Sequence, residues 1–287
     1  LGAHRTLGAL KVDTCGTLNP VALVRGLAEA VERRGGRVFE RTAATSISGG
    51  EVRSDAACVR APRIVLATEA FTVQQPGEGR RYLPLASTMI ATAPLPDGVY
   101  DELGWKAGEA VGDAHHLFFY AQMTRDRRIA IGGRGAPYRL GSALSIDGAA
   151  DPETTARLEA TLAEVWPQAQ HVPIDHRWSG SLAVPRDWCA SCGLDEATGR
   201  AWIGGYAGHG VGASFVLARS LAAQLRGVPD PVGPQPWTLH RARAWEPEPL
   251  RWLASQAIVK LLASADEIES AGGTTRRAQL VHRFLGG

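Results

Sequence analysis

The feature that most constrains this sequence is a glycine-rich loop placed directly before an amphipathic segment. Residues 204–227 read GGYAGHGVGASFVLARSLAAQLRG, and the glycines end abruptly. Leu217, Leu221 and Leu225 then follow at helical spacing. Ordering a glycine on folding costs more conformational entropy than ordering any other residue. So many glycines before one helix therefore indicate a loop whose backbone approaches another group closely or adopts positive φ. The free N–H groups of a helix start suit an anion or a carbonyl group, although an ordinary helix entry explains the loop equally well on these grounds.

The loop and the bulk properties exclude several functions. The loop has no Lys followed by Ser or Thr, so it does not match the phosphate loop of nucleoside triphosphate enzymes. The 287 residues carry a net charge of only +2, which gives no case for nucleic acid or for an anionic membrane surface. No apolar run is long enough to cross a bilayer. The hydrophobic content of 45% allows a sizeable core.

The cysteines do not indicate a metal or disulfide site. Cys189 and Cys192 form one Cys-x-x-Cys pair, whereas Cys15 and Cys58 lie far apart in the sequence. A structural zinc site needs a second pair. We therefore interpret them as ordinary thiols in a reducing cytoplasm, with no metal expected, and keep zinc or disulfide chemistry as a weaker alternative.

Local patterns predict an α/β protein. Asn19 and Asp151 are helix caps, each followed by proline, and each helix carries an apolar face (Leu23, Leu27 and Val31 in the first helix; Leu158, Leu162 and Val165 in the second). RVFERTAATSIS is interpreted as a strand, GGEVRS as a hairpin turn, and the apolar RIVLAT as a parallel strand buried on both faces.

The middle of the chain predicts an antiparallel sheet. HHLFFYAQM and RIAIGG are two strand-like runs joined by the polar TRDRR, which indicates a hairpin. His115 and His116 are adjacent, so on a strand they point to opposite faces and do not share a metal. The overall order predicts two domains between which the chain crosses and returns.

Several strings in this order resemble one enzyme family. IVLATEA, RIAIGG, RWSG and GGYAGHGVGASFVLARSLAAQL resemble the FAD-dependent oxidoreductases of the D-amino acid oxidase and sarcosine oxidase superfamily. The WEPEPLRWL tail looks like the branch that includes gamma-glutamylputrescine oxidoreductases. The resemblance covers essentially the whole chain.

The resemblance implies an incomplete Rossmann-like FAD-binding domain and an antiparallel-sheet substrate domain that covers the flavin. The implied boundaries are 1–79 and 177–227 for the FAD-binding part, 80–176 for the substrate domain and 228–287 for a helical tail. It implies that a helix start stabilises the electron-rich edge of the reduced flavin. The residues that it implies for cofactor binding are Ala44, Ala67, Thr68, Gly205, Gly208, His209, Gly210, Val211 and Gly212.

Three departures from the family pattern change the expectations. The family begins with a strand, a Gly-x-Gly-x-x-Gly turn and a helix that hold the pyrophosphate, and this sequence has none of them. We therefore expect a C-terminal part of a longer protein that binds FAD poorly alone. Glu69 stands where relatives usually have Gly or Asn, and CASCG stands where relatives often have Pro and Gly.

The family also implies the residues that face the substrate. The first hairpin strand contributes an aromatic ring over the flavin, which corresponds to Tyr120 or its neighbour Phe119. Arg134 falls where relatives place a polar active-site residue, and Trp178 is expected in the core. Sarcosine-oxidising relatives carry a Lys that binds the substrate carboxylate, and Gly212 stands in its place here.

These expectations predict a flavin-dependent oxidation of a small-molecule amine, such as a primary amine or a polyamine conjugate. The flavin passes its electrons to oxygen or to a carrier. Two alternatives remain open: a D-amino acid or glycine-type oxidase in which Arg134 binds the carboxylate, and a non-catalytic remnant that acts as a binding or assembly module.

Overall fold

The computed structural model describes residues 2–4, 6–135, 137–144 and 147–285. Its α-helices are α1 (Pro20–Arg33), α2 (Asp97–Leu103), α3 (Pro152–Val165), α4 (Gly210–Arg226), α5 (Leu250–Ser270) and α6 (Arg277–Leu285). Its strands are β1 (Ser46–Ser48), β2 (Glu51–Arg53), β3 (Cys58–Arg60), β4 (Ile64–Leu66), β5 (Leu83–Thr92), β6 (Ala110–Gly112), β7 (Phe119–Met123), β8 (Ile129–Gly133), β9 (Ile174–Val184), β10 (Ser191–Asp195) and β11 (Arg200–Gly204). No helix among the described residues combines the length and the apolar character that crossing a membrane requires.

The strands of the described residues form sheets with the orders β1-β2-β3, β10-β11-β4 and β6-β7-β8-β5-β9. β11 and β4 run parallel, with Trp202 opposite Leu66, whereas the five-stranded sheet is antiparallel. Parallel neighbours need a long crossover connection, and here the whole five-stranded sheet lies between β4 and β11 in the sequence. The predicted fold class, an α/β part interrupted by an antiparallel sheet, is confirmed.

Two helices begin where the sequence predicts. Asn19 accepts a hydrogen bond from the backbone N–H of Ala22 at 3.0 Å, and Asp151 accepts one from Thr154 at 2.8 Å. Each cap satisfies an N–H group that has no partner within its helix, which stabilises the helix by about 1 kcal/mol. Proline follows both caps, at the position where its missing N–H costs nothing.

The main core lies between α3 and one face of the five-stranded sheet. Leu158 of α3 packs with Ile90 of β5 and Ile131 of β8, and all three are fully buried. Trp105 stacks on Trp166 beside them, with ring centroids 4.8 Å apart. Burial of each such aliphatic side chain contributes roughly 1.5–3 kcal/mol. We call this side of the sheet the covered face and the other side the open face.

The helix α4 packs its predicted leucine face against the sheet β10-β11-β4. Leu217 and Leu221 are buried in one cluster with Cys192 of β10. The beginning of the same helix is bare, since Val211 is 53% exposed and Phe215 is 66% exposed. The end of α4 is therefore fixed by packing, while its first turns face open space.

Two further apolar surfaces, one on α1 and one on β4, are also exposed. Leu23, Leu27 and Val31 share one side of α1 and are exposed, and no residue of this helix is buried. The outer edge of β4 pairs with no strand of the described residues, and Val65 on it is exposed. The expectation that RIVLAT is buried on both faces is therefore wrong for this structure. We call the apolar side of α1 and the outer edge of β4 the bare edge.

Three further expectations differ from the structure. In RVFERTAATSIS only Ser46–Ser48 is a strand, because just these residues pair with β2. His115 and His116 lie in a turn before β7 rather than on a strand. The strand β9 pairs with β5 as far as Val184, so the antiparallel sheet extends beyond the expected boundary at residue 176.

Candidate functional site

One row of side chains crosses the open face of the five-stranded sheet. The register pairs Tyr120 with Gly132, Gly132 with Met89, and Met89 with Trp178. Directly opposed residues point to the same side of a sheet, so these four share the open face. Tyr120 and Trp178 are 37% and 38% exposed. The expectation that Trp178 fills the core is therefore wrong, because its register places it opposite the open-face residue Met89.

The ring of Tyr120 is fixed in position across this face. Its hydroxyl shares a 2.9 Å hydrogen bond with the Ser87 hydroxyl of β5. A Cβ atom on Gly132 would lie 2.8 Å from the Tyr120 ring and 2.7 Å from Met89. The absence of a side chain at Gly132 therefore lets the ring lie flat over the sheet, with a phenol edge exposed to a ligand.

The glycine loop meets the same face at its other end. The backbone N–H of Ala207 donates to the carbonyl oxygen of Ala183 in β9 at 3.1 Å. A Cβ atom on Gly208 would lie 3.7 Å from Leu182, which pairs with Leu85 on the open face. Leu182 and Trp178 lie four positions apart on β9, which is about 13 Å along a strand. The loop and the aromatic row therefore border the same face of the sheet.

The residues predicted for cofactor binding come from two neighbouring strand ends. Ala67 and Thr68 directly follow β4, and Gly205 directly follows β11, the parallel neighbour of β4. The carboxyl ends of parallel strands are where ligands bind in open α/β sheets. Ala44 precedes β1 and is exposed, and no hydrogen bond described in this structure joins it to the glycine loop. Its role stays a prediction.

The start of α4 is open in the way that the cofactor prediction requires. His209 makes no side-chain hydrogen bond that caps the helix, and Gly208 has a φ of +96°, which favours glycine. A Cβ atom on Gly212 would meet no atom within 4 Å. Gly208, His209, Val211 and Gly212 are exposed, and Gly210 begins the helix. The backbone here can contact a ring without displacing any side chain.

Glu69 connects the two strand ends, a role that the sequence did not indicate. Its carboxylate accepts hydrogen bonds from the backbone N–H of Gly205 at 2.8 Å and of Tyr206 at 3.1 Å. Burial raises the pKa of Glu69, while these two donors favour its ionised form. Burial and the Glu69 charge raise the pKa of Tyr206 as well. The Gly or Asn that relatives usually carry at this position is a signal for the positive φ of Glu69, but it does not indicate which groups the carboxylate binds.

Arg134 does not join Tyr120 on the open face. Its guanidinium donates to Thr161 of α3 at 3.1 Å and lies 2.8 Å from the Asp113 carboxylate, on the side of the covered face. Phe119, the alternative to Tyr120, is buried in the main core. The structure thus leaves Tyr120 on the open face that the glycine loop also borders, and it places Arg134 where it stabilises the turn before β7.

That turn is fixed to the C-terminal helix α5. The carboxylate of Asp266 accepts hydrogen bonds from the backbone N–H of His116 at 2.7 Å and of Leu117 at 3.0 Å. His115 contacts Asp113 on one side and Ser270 at 3.1 Å on the other. Long-range contacts of this kind carry no local sequence pattern. They place the end of α5 beside the strand that holds Tyr120.

The WEPEPLRWL string anchors the other end of α5. Trp245 is buried and donates from its indole N–H to the carbonyl oxygen of Val184 at 2.8 Å. Glu248 accepts hydrogen bonds from Tyr138, from the Gly141 backbone and from Arg251. Burial alone would raise the pKa of Glu248, but these donors outweigh it and lower the pKa. The string therefore has a structural role in seating α5.

The cysteines are free thiols, and Cys189 is exposed while Cys192 is buried. Burial raises the pKa of Cys192 to about 11, so its thiol is protonated at neutral pH. No cluster of potential metal ligands occurs within the described ranges. The thiols thus provide no reactive group at the open face.

A cavity of about 410 Å³ lies at the opposite end of the parallel strands. Its lining includes the Gly49–Gly50 turn, Ile64 at the start of β4 and Arg200 at the start of β11. Both β4 and β11 begin here and run away from it. Ligands of open α/β sheets bind at the other end of such strands, so this cavity does not belong to the candidate site.

FAD fits this site at its ring end. The uncapped helix start and the bare Gly208 and Gly212 leave room for a flat anionic ring, and the open face supplies aromatic contacts. At the phosphate end, the described residues contain no Gly-x-Gly-x-x-Gly turn between a strand and a helix. Among the described residues, the start of α4 therefore has room for the ring, and no turn of the kind that holds a pyrophosphate is present.

Known proteins resemble this chain over most of its length. Residues 2–224 match the family model DAO, described as FAD dependent oxidoreductase. Over 233 residues the chain is 31% identical to gamma-glutamylputrescine oxidoreductase of Escherichia coli (strain K12). This match covers 79% of the chain and 52% of the relative. It is 27% identical to the probable oxidoreductase OrdL of Haemophilus influenzae, over 79% of this chain and 51% of that protein. The chain spans about half the length of these curated relatives.

Solved structures share the fold. The glycine oxidase from Geobacillus kaustophilus has a TM-score of 0.62 at 18% identity, over 77% of this chain and 58% of that one. The L-proline dehydrogenase from P. horikoshii has a TM-score of 0.61 at 17% identity, over 74% of this chain and 57% of that one. At such low identity the likeness concerns the fold alone.

Proposed function

We propose, from the premise that this chain belongs to the DAO family of FAD-dependent oxidoreductases, that it is the substrate-facing part of an enzyme that oxidises an amine. One observation carries the proposal: the glycine loop meets the open sheet face at Leu182, and the aromatic row crosses the same face about 13 Å away along β9. When bound, FAD supplies the acceptor for a hydride from the carbon beside the amine nitrogen.

The chain's own residues would orient the ring and the substrate. The start of α4, at Gly210–Gly212, presents backbone N–H groups and the positive end of the helix dipole to an electron-rich edge. Tyr120 and Trp178 form an apolar, aromatic surface that excludes water from the amine. Exclusion of water favours the neutral amine, which is the form that can give up a hydride. The Tyr120 hydroxyl, held by Ser87, keeps the ring in place.

The substrate class follows from what the open face offers. In the paired part of the sheet, the described residues that share its register are uncharged or histidine, and Arg134 is engaged on the opposite side. A carboxylate would find no arginine or lysine there. Gly212 also leaves empty the place where sarcosine-oxidising relatives carry Lys. An amine that lacks an α-carboxylate, such as a primary amine or a polyamine conjugate, is therefore the substrate that we propose.

A nucleotide-binding segment would complete the site. The bare edge exposes the apolar side of α1 and the unpaired edge of β4, which are the surfaces that a further parallel strand and its helix can cover. The chain spans about half the length of its curated relatives. We propose that the segment that holds the pyrophosphate packs on this bare edge.

The test joins this chain to the part of the Escherichia coli relative that the match does not cover. The expected result is a flavin-containing protein whose flavin is reduced by amines faster than by sarcosine or small D-amino acids. The Gly212→Lys variant should shift the ratio of kcat/KM values toward sarcosine, because the lysine has open space beside it. Faster reduction by amino acids would refute the substrate class, and a flavin-bearing protein that no amine reduces would refute the activity.

A further inference from the structure

Glu69 has a backbone conformation that glutamate rarely adopts. Its φ is +45°, in the left-handed region that Gly and Asn tolerate and that other residues avoid. The sequence resemblance places Gly or Asn at this position in relatives. A strained residue persists only where its surroundings hold it, so the side chain of Glu69 must make a compensating interaction.

The carboxylate of Glu69 makes that interaction with two consecutive backbone amides. The N–H groups of Gly205 and Tyr206 both point at it, at 2.8 and 3.1 Å. Successive N–H groups of this kind form a concavity that binds anions, and hydrogen bonds to a carboxylate are stronger than neutral ones. Gly204 has a φ of +155°, and a Cβ atom there would lie 2.8 Å from the carboxylate, so the turn is shaped around it.

The surroundings of this carboxylate are largely buried. Tyr82 and Tyr206 stand beside it, and its charge contributes to the raised pKa of both phenols. Burial raises the pKa of Glu69 itself. A charge held here without a cation among its described partners is costly. The backbone donors of Gly205 and Tyr206, together with a backbone hydrogen bond at Ala183, offset that cost.

We propose that Glu69 is a positioning residue of the cofactor site: its carboxylate binds the Gly205–Tyr206 backbone and thereby fixes the distance between the glycine loop and the end of β4. The loop from Gly208 to Gly212 begins two residues later, so its position depends on this attachment. The inference rests on the proposed function, because it concerns the loop that faces the flavin ring.

The experiment compares Glu69→Gly with Arg41→Gly in the 287-residue chain. Arg41 is an exposed residue that also has positive φ, at +51°. Both substitutions relieve backbone strain, but only the first removes the carboxylate. Hydrogen exchange of the Gly205 and Tyr206 amides should become about tenfold faster or more in Glu69→Gly, and it should not change in Arg41→Gly. Unchanged exchange in Glu69→Gly would overturn the proposal.

A second measurement separates positioning from a merely structural role. Lumiflavin, the ring system without phosphates, is titrated into each protein and its fluorescence is followed. We expect Glu69→Gly to weaken binding severalfold and Arg41→Gly to leave it unchanged. Equal affinity in all three proteins, with faster exchange in Glu69→Gly, would limit Glu69 to a structural role and overturn the positioning claim. If the unsubstituted chain does not bind lumiflavin, both the ring site of the proposed function and the positioning role of Glu69 are refuted. The amide exchange would still report whether the Glu69 carboxylate binds the Gly205 and Tyr206 amides.

Discussion

Substitution of Gly132 by alanine should disturb the open face more than its size suggests. The new Cβ atom would lie 2.7 Å from Met89 Cγ and 2.8 Å from the ring of Tyr120. Carbon atoms pack without strain at about 3.5–4.0 Å, so the Tyr120 ring must move by roughly 1 Å. Such a shift weakens the hydrogen bond to Ser87, which now measures 2.9 Å.

The magnitude follows from three contributions. Overpacking of a filled position costs about 1–3 kcal/mol, and loss of the Ser87 hydrogen bond costs about 0.5–1.5 kcal/mol. Replacing glycine by alanine lowers the entropy of the unfolded chain and returns about 0.4–1 kcal/mol. The net loss of stability is about 0.5–4 kcal/mol, which corresponds to a fall in Tm of roughly 1–16 °C for a chain of this size.

The assay is thermal unfolding, with Gly180→Ala as the matched control. Gly180 lies on the same open face, opposite Ser87, but a Cβ atom there would meet nothing within 4 Å. Gly180→Ala should therefore leave Tm unchanged or raise it slightly. Equal Tm values for the two variants would refute the packing of Tyr120 over Gly132, and with it the rigid aromatic row on which the proposed site depends.

Three further predictions test other parts of the molecule. Trp245→Phe should lower the free energy of unfolding by about 1–2 kcal/mol, measured in denaturant, because the buried carbonyl of Val184 loses its indole donor. Glu69→Gln should lower the pKa of Tyr206, measured by tyrosinate absorbance, because the substitution removes a neighbouring negative charge. A phenol whose pKa is raised in the folded state reduces the free energy of unfolding as the pH rises above about 10. The variant should therefore lose less stability than the parent above a pH of about 10. Leu27→Lys should change the Tm of this chain by less than about 2 °C, because the side chain is exposed. Once a nucleotide-binding segment is joined, the same substitution should reduce the amount of flavin that the protein retains. Flavin retention equal to that of the parent would contradict packing of the segment on the bare edge.

Local patterns in the sequence were sufficient for elements whose ends are set locally. The caps at Asn19 and Asp151, the hairpin of β7 and β8, and the leucine face of α4 all depend on residues a few positions apart. The same patterns failed where partners are distant. RIVLAT reads as a strand buried on both faces, but burial requires neighbours that the described residues of this chain do not supply at Val65.

The candidate site was predictable only in part for the same reason. The glycine loop and Tyr120 were recognisable from short sequence motifs, and the structure places both at one open face. Register decides the rest: a shift of one residue between Phe119 and Tyr120 exchanges the core for the open face, and sequence alone left both possible. The attachment of Glu69 to Gly205 spans more than a hundred residues and depends on a positive φ, neither of which leaves a local pattern.

The central claim is that the flavin ring lies between the start of α4 and the aromatic row. The most direct measurement is a map of amide and indole NMR shifts on titration of the chain with lumiflavin. If the ring lies there, the largest changes occur at the backbone amides of Gly208–Gly212, at the backbone amides of Tyr120 and Trp178, and at the indole N–H of Trp178. Largest changes at the Gly49–Gly50 turn, which lines the cavity at the opposite ends of β4 and β11, would contradict it, as would the absence of any change.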